Sequence, residues 1–458
     1  MGLYSFYRIS KPSADKVAPE KVDATYKSLR NRTFWGVTIA YSLYYVCRMS
    51  MSVVKQPLID EGILTAGELG LIGSALLFVY AVGKFMNGFI ADYCNIRRFM
   101  ATGLFVSSLV NLLMGVLGIA GGCFHLSSFI IFISFAVLWG INGWMQSMGS
   151  PPGVICLSRW FPRNKRGTFY SIFSSTPYIG EFLSFIITGV VVGALGWKAG
   201  FLVSAVAGLI GSLVILWLVS DTPESKGLPS VQQLSKEPVR KEDTMPTKEL
   251  QKFVLKHPGI WIIALSSAFI YITKYAIAGW GVLFLQKARE FSLEQATQII
   301  AFSAAFGIVG TVLAGWLSDT VFKSDRVKPA ILSGVVSFIA LALFLFVGGG
   351  YFMNIFYVSL FSLAVGVLYC IVAGLMAVDI VPRKATGAAL GVVGISSYMA
   401  AGLQDITSGY LIQYNTTQVG GADVYDFGPV SWFWLLAALI SFLLPVVNWK
   451  KMSDKKGI

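Results

Sequence analysis

The chain has 458 residues, 55% of them hydrophobic and 13% charged, and a formal net charge of +13. Apolar windows of about 20 residues recur from end to end, each long enough to cross a bilayer core as a helix at roughly 1.5 Å per residue. This excludes a soluble domain, and because the runs are continuous instead of alternating over about 10 residues, it excludes a membrane β-barrel too.

In chain order, residues 1–32 are polar and basic, without the charged start, apolar core and cleavage site of a removable signal peptide. The first apolar run is expected to act as its own targeting signal. Twelve spans are predicted near 33–54, 69–90, 99–120, 126–157, 168–195, 198–219, 257–285, 294–317, 329–348, 351–378, 386–413 and 429–448. One long polar stretch, Asp221 to Lys256, divides them six and six, and its mixed charge and prolines predict a partly flexible linker. The expected organisation is an N-terminal segment (1–32), a six-helix bundle (33–219), a linker (220–256), a second six-helix bundle (257–448) and a tail (449–458).

The basic charge follows this topology. Lys55, Lys198, Lys287 and Arg289 fall in connections on the side away from the termini, and Arg48, Lys84 and Lys274 fall inside spans. All the other lysines and arginines lie on the side of the termini, which predicts that both termini are cytoplasmic and accounts for the charge without nucleic acid. Cys47, Cys94, Cys123, Cys156 and Cys370 show no C-x-x-C spacing, and His125 and His257 are too few for a histidine metal site, so no disulfide, metal or cofactor is expected. No H-E-x-x-H, G-x-S-x-G, G-x-x-x-x-G-K-[ST] or G-x-G-x-x-G occurs, and the chain is not expected to be an enzyme.

The two halves repeat each other. "GFIAD" (Gly88 to Asp92) recurs as "GWLSD" (Gly315 to Asp319), and "FPRNKRG" (Phe161 to Gly167) as "VPRKATG" (Val381 to Gly387), after which Tyr178 matches Tyr398. Arg48 precedes Asp92 by nearly the interval at which Lys274 precedes Asp319, so these intramembrane cations are pseudo-symmetry mates on spans one and seven. Two six-helix halves related by an axis along the membrane normal predict a transporter of the major facilitator layout, with its site at the midplane between them. Asp92, Arg97, Arg98 and Asp319 are expected to gate by holding helix ends, not to bind substrate.

An arginine at mid-membrane costs about 2.5 to 3.5 kcal/mol on insertion scales, so a compensating partner is expected. Arg48 lies about 22 Å along its helix from Thr33, and Lys84 about 12 Å from Asp92. Glu181 and Asp405 are the central acids, with Asp379 nearer the termini. Structural pairs, Arg48 with Glu181 and Lys274 with Asp405, are one reading. The stronger one is a cavity whose surplus cation receives a phosphate, gripped by the planar arginine fork. Tyr41, Tyr44 and Tyr45 near Arg48, Tyr80 near Lys84 and Tyr271 near Lys274 would serve a polyhydroxylated ligand, and Tyr178 with Glu181 and Tyr398 with Gln404 and Asp405 would form the facing wall. Trp144 and Gln146 are weaker candidates, read first as packing.

"SLYYVCR", "YAVGKFMNGFIADYCNIRR", "MGSPPG" followed by "LSRWF", "DTPESKGLP" and "YITKYAIAGWGVLFL" together resemble the organophosphate:inorganic phosphate antiporters of the major facilitator superfamily, over about residues 26 to 445. The resemblance implies that Arg48 matches the essential phosphate-binding arginine and Lys84 the lysine of span two. Lys274 stands where glycerol-phosphate carriers have a second arginine, and Pro177 where they have a histidine, which turns the expectation towards the hexose-phosphate branch. The expected activity is exchange of a hexose phosphate, glucose-6-phosphate first, for inorganic phosphate by a monomer in a bacterial cytoplasmic membrane. The alternatives are a sensor of external hexose phosphate with a signalling partner, and a proton-coupled symporter using Glu181 or Asp405.

Overall fold

The computed structural model describes residues 6–91, 94–124, 126–162, 169, 172–235, 254–317, 321–322, 326–377, 380, 386–419 and 422–453. Eleven of the described helices are long and apolar enough to cross a membrane. They are span one (Val22–Asp60), two (Ala66–Ala91), three (Ile96–Phe124), four (Ser128–Gln146, then Ser150–Trp160), five (Thr176–Leu195), six (Trp197–Leu218), seven (Pro258–Arg289), eight (Leu293–Trp316), nine (Val327–Ala342), ten (Tyr351–Leu368) and twelve (Gly428–Ser453). Span eleven, Thr386–Tyr414, is a helix of 29 residues that carries Tyr398, Gln404, Asp405 and Gln413.

Local chemistry sets the breaks. Span four stops at Ser147–Gly149 and restarts with Pro151 and Pro152 in the first turn of the new helix, where a missing N–H leaves no bond unmade. The span predicted near 126–157 is thus one crossing, Ser128–Leu157, made of two helices in series. Ser292 and Gln295 form a capping box at the start of span eight, and Pro258 opens span seven. Spans nine and ten run on into wide π turns, Leu343–Val347 and Tyr369–Met376. An unexpected antiparallel hairpin, Thr416–Val419 with Ala422–Tyr425, joins spans eleven and twelve.

The neighbour relations repeat with the sequence. Span one packs on five and six as seven packs on eleven and twelve; two on four as eight on ten; three on six as nine on twelve. The halves meet where two packs on eleven and five on eight, with one beside seven. This is the two-bundle architecture expected from the repeat.

One expectation needs correcting. Span one runs from Val22 to Asp60, so Lys55 is not in a connection; it is buried within the helix, held there by a carboxylate from the other half. The first residues of the linker are fixed by contacts, which a partly flexible linker allows. Asp221 accepts from Arg159 at 2.7 Å, from the Ser10 N–H at 2.8 Å and from the Ile96 N–H at 3.0 Å. The N-terminal segment continues the contact, Ser13 N–H donating to the Glu224 carbonyl and Val17 N–H to that of Gly227. Asp221→Asn keeps the shape but removes the charge that three donors share, and should cost about 2 kcal/mol, read as a lower thermal unfolding midpoint of the purified protein.

Candidate functional site

The site is assembled where spans one, two, five, seven, ten and eleven converge. Arg48 is 4% exposed, and its Nη2 donates to the Tyr275 hydroxyl at 3.1 Å. Its guanidinium lies over four rings, Tyr80 at 4.3 Å, Tyr45 and Tyr398 at 5.4 Å, and Tyr275 at 5.7 Å. Lys274 Nζ lies 4.2 Å from the Tyr178 ring centre and 5.6 Å from that of Tyr369. Lys84 sits 5.0 Å from the Tyr398 ring.

The sequence symmetry therefore has a geometric counterpart. Arg48 of the first half is seated on Tyr398 of the second, and Lys274 of the second on Tyr178 of the first. Each cation of the matched pair touches the opposite half through the matched tyrosine. Ring faces attract a cation by about 0.5 to 2 kcal/mol each, which offsets part of the burial cost without neutralising the charge. Tyr398 is the hub: its ring lies 4.6 Å from Tyr80 and 5.1 Å from Tyr271, and both Arg48 and Lys84 face it.

The expected ion pairs are not those the structure makes. Asp405 binds Lys55 at 3.2 Å, not Lys274, and accepts the Trp280 indole N–H at 2.5 Å. Among the described residues Arg48, Lys84 and Lys274 have no carboxylate within ion-pair distance. Glu181 shares a small cavity with Lys274, Tyr178, Ser303 and Ser362, and its Oε2, though buried, has no hydrogen-bond partner among the described residues. With Lys55 and Asp405 cancelling, three formal cations face one formal acid. The surplus is two positive charges, not the one that sequence counting suggested.

Arg48, Lys55, Tyr275, Gln404 and Asp405 line a second cavity, of about 50 Å³. That volume is room for a few waters and for no larger solute. Gln404 donates to the Ser408 hydroxyl at 2.8 Å and leaves its Oε1 without a partner among the described residues.

Other expected residues stand further off. Tyr41 stacks on Phe173 at 5.1 Å and meets Tyr45 edge-on, one ring removed from Arg48. Tyr44 points away and donates to the Met100 carbonyl at 2.6 Å. Gln146 bonds Ser107 at 3.0 Å, the packing role assigned to it. Arg97 donates to the Leu216 carbonyl and Arg98 to that of Phe6, so both contacts stay within the first half. Asp92, Asp319, Asp379 and most of the "PRNKRG" and "VPRKATG" repeats lie outside the described residues.

Sequence reasoning missed Lys55, Tyr275, Tyr369 and Trp280. Lys55 follows Arg48 by two helical turns on one face, which was a usable signal. Tyr369 opens the π turn of span ten, and no spacing rule would have brought it to Lys274.

Removing the Tyr398 ring should be felt by two cations. Tyr398→Ala is expected to weaken ligand binding about tenfold, and Tyr398→Phe, which keeps the ring face, much less. Isothermal titration of the purified protein with phosphate would show the difference.

Comparison with known proteins bears on this geometry. The Major Facilitator Superfamily model matches residues 37–404. The chain belongs to the Major Facilitator Superfamily. Within it, this facilitator falls in the organophosphate:inorganic phosphate antiporter branch, as its relatives show. It is 34% identical to the glycerol-3-phosphate transporter of Bacillus subtilis (strain 168), over 85% of this chain and 87% of that one. It is 30% identical to a probable hexose phosphate transport protein of Chlamydia muridarum, over 96% and 95%. It is 27% identical to the membrane sensor protein UhpC of Escherichia coli (strain K12), over 84% and 86%. In fold, the facilitator resembles a bacterial homologue of the human lysosomal transporter Spinster in an inward-facing, occupied conformation, with a TM-score of 0.72 and 16% identity over 93% of this chain and 97% of that one. It is an integral membrane protein of a transporter family, not an enzyme.

Proposed function

We propose that this facilitator exchanges a hexose phosphate, glucose-6-phosphate above all, for inorganic phosphate by alternating access. The observation that carries the reading is the crossed pair, Arg48 on Tyr398 and Lys274 on Tyr178, with a surplus of two formal positive charges. A phosphate dianion matches that surplus, its oxygens accept from the Arg48 fork and the Lys274 ammonium, and the tyrosines offer ring faces and hydroxyls to a sugar. The empty site would carry uncompensated charge through an occluded, low-dielectric state, at several kcal/mol. Return is therefore fast only with an anion bound, which makes exchange obligatory.

Lysine at position 274 and proline at 177, the two departures from the glycerol-phosphate pattern, support hexose phosphate as the partner substrate. The charge asymmetry supports cytoplasmic termini, and the bacterial relatives support a bacterial inner membrane. Uptake of labelled glucose-6-phosphate into proteoliposomes is expected with internal phosphate and not without it. The likeness to UhpC favours one second reading, a sensor, which would bind glucose-6-phosphate with no uptake under either condition. Uptake that follows an imposed pH gradient without internal phosphate would instead mark a proton-coupled symporter.

A further inference from the structure

Lys55, Asp405 and Trp280 take no part in the cation pair just described, yet they form a tight buried cluster across the two halves. Lys55 comes from span one, Asp405 from span eleven and Trp280 from span seven. Lys55 Nζ lies 3.2 Å from the Asp405 carboxylate and 3.4 Å from the Trp280 ring centre, and the Trp280 N–H donates to the same carboxylate oxygen. The side chains of Lys55 and Asp405 are 3% and 10% exposed. The cluster is two turns further along span one than Arg48, towards the end remote from the termini.

The backbone around it is cut to fit. At Gly73 of span two, a Cβ would collide with Asp405 Oδ2, and at Gly70 it would stand 2.6 Å from the Asp405 carbonyl oxygen. At the same end, Gly67 N–H donates to Gln413 Oε1 at 2.9 Å, Lys287 pairs with Asp60 at 2.7 Å, and Gly189 packs against Thr297, where span five meets span eight.

We propose that Lys55, Asp405 and Trp280 are the latch that keeps the end remote from the termini closed, and that the pair separates when this end opens. Closed, each charge finds its counter-charge only in the other half of the molecule. Open, water solvates both. Removing one partner leaves an unpaired buried charge in the closed state alone, so each single variant drives the equilibrium to the open state. Removing both charges relieves that bias, because no uncompensated group is left.

The test reads accessibility and not transport, so it is independent of the substrate assignment. Thr297, 2% exposed at the span five to eight contact, is changed to Cys in full-length protein whose five native cysteines are replaced by serine. Labelling by a water-soluble maleimide is followed in detergent. Lys55→Met and Asp405→Asn should each speed labelling about tenfold or more. The double variant, in which the amide oxygen introduced at position 405 still accepts from Trp280, should label more slowly than either. Gly73→Ala alters no charge and should also speed labelling, by pushing the Asp405 carboxylate off its seat. Single variants that label like the parent, a double variant as fast as the faster single one, or an unaffected Gly73→Ala would each overturn the latch.

Discussion

Arg48→Ala is expected to abolish phosphate-dependent uptake of glucose-6-phosphate in proteoliposomes. The side chain is buried, carries a permanent charge and has no carboxylate partner among the described residues, and on the proposed reading that charge is the one that meets the phosphate. Two charge-assisted bonds to phosphate at about 1.5 to 3 kcal/mol each imply a loss of roughly 100-fold or more. Arg48→Lys should recover little of it, because an ammonium cannot grip two oxygens in one plane or spread over four tyrosine rings. Near-normal uptake in either variant would remove Arg48 from the site.

Lys274→Ala should lose exchange almost as completely, for a different reason. Lys274 reaches across the interface to Tyr178 and shares a cavity with Glu181, so its removal leaves that buried acid without the cation of its cavity and the proposed phosphate with Arg48 alone. Lys274→Arg keeps the charge and the stacking, and should retain phosphate inhibition while shifting preference among organophosphates. The check is a competition series with phosphate, glucose-6-phosphate and glycerol-3-phosphate. Unchanged phosphate inhibition in Lys274→Ala would show that the two cations do not act on one anion.

Much of this was legible in the sequence because the membrane makes the code simple. A chain in hydrocarbon must satisfy its own backbone bonds, so spans read directly as apolar runs, and a charge inside one stands out against its cost. Arg48, Lys84 and Lys274 were visible on that ground, and the internal repeat paired Arg48 with Lys274 and Tyr178 with Tyr398. The two errors about buried charge have one origin. A span one ended at the thickness of a bilayer leaves Lys55 in a connection, whereas the helix extends to Asp60. With Lys55 outside the span, only the wrong cations remain as partners for Asp405.

The sequence by itself determined the class, the twofold repeat and the identity of the central cations, since each follows from composition and periodicity along the chain. Which charges cancel was decided only in three dimensions. Lys55 and Asp405 are 350 residues apart, and no spacing rule joins spans one and eleven. Likewise, seating each cation on the other half's tyrosine depends on how two bundles meet, a contact to which local propensity contributes nothing. Coulomb attraction and ring stacking act over a few ångströms, so the surplus of charge on which the functional reading rests exists only once the halves are packed together.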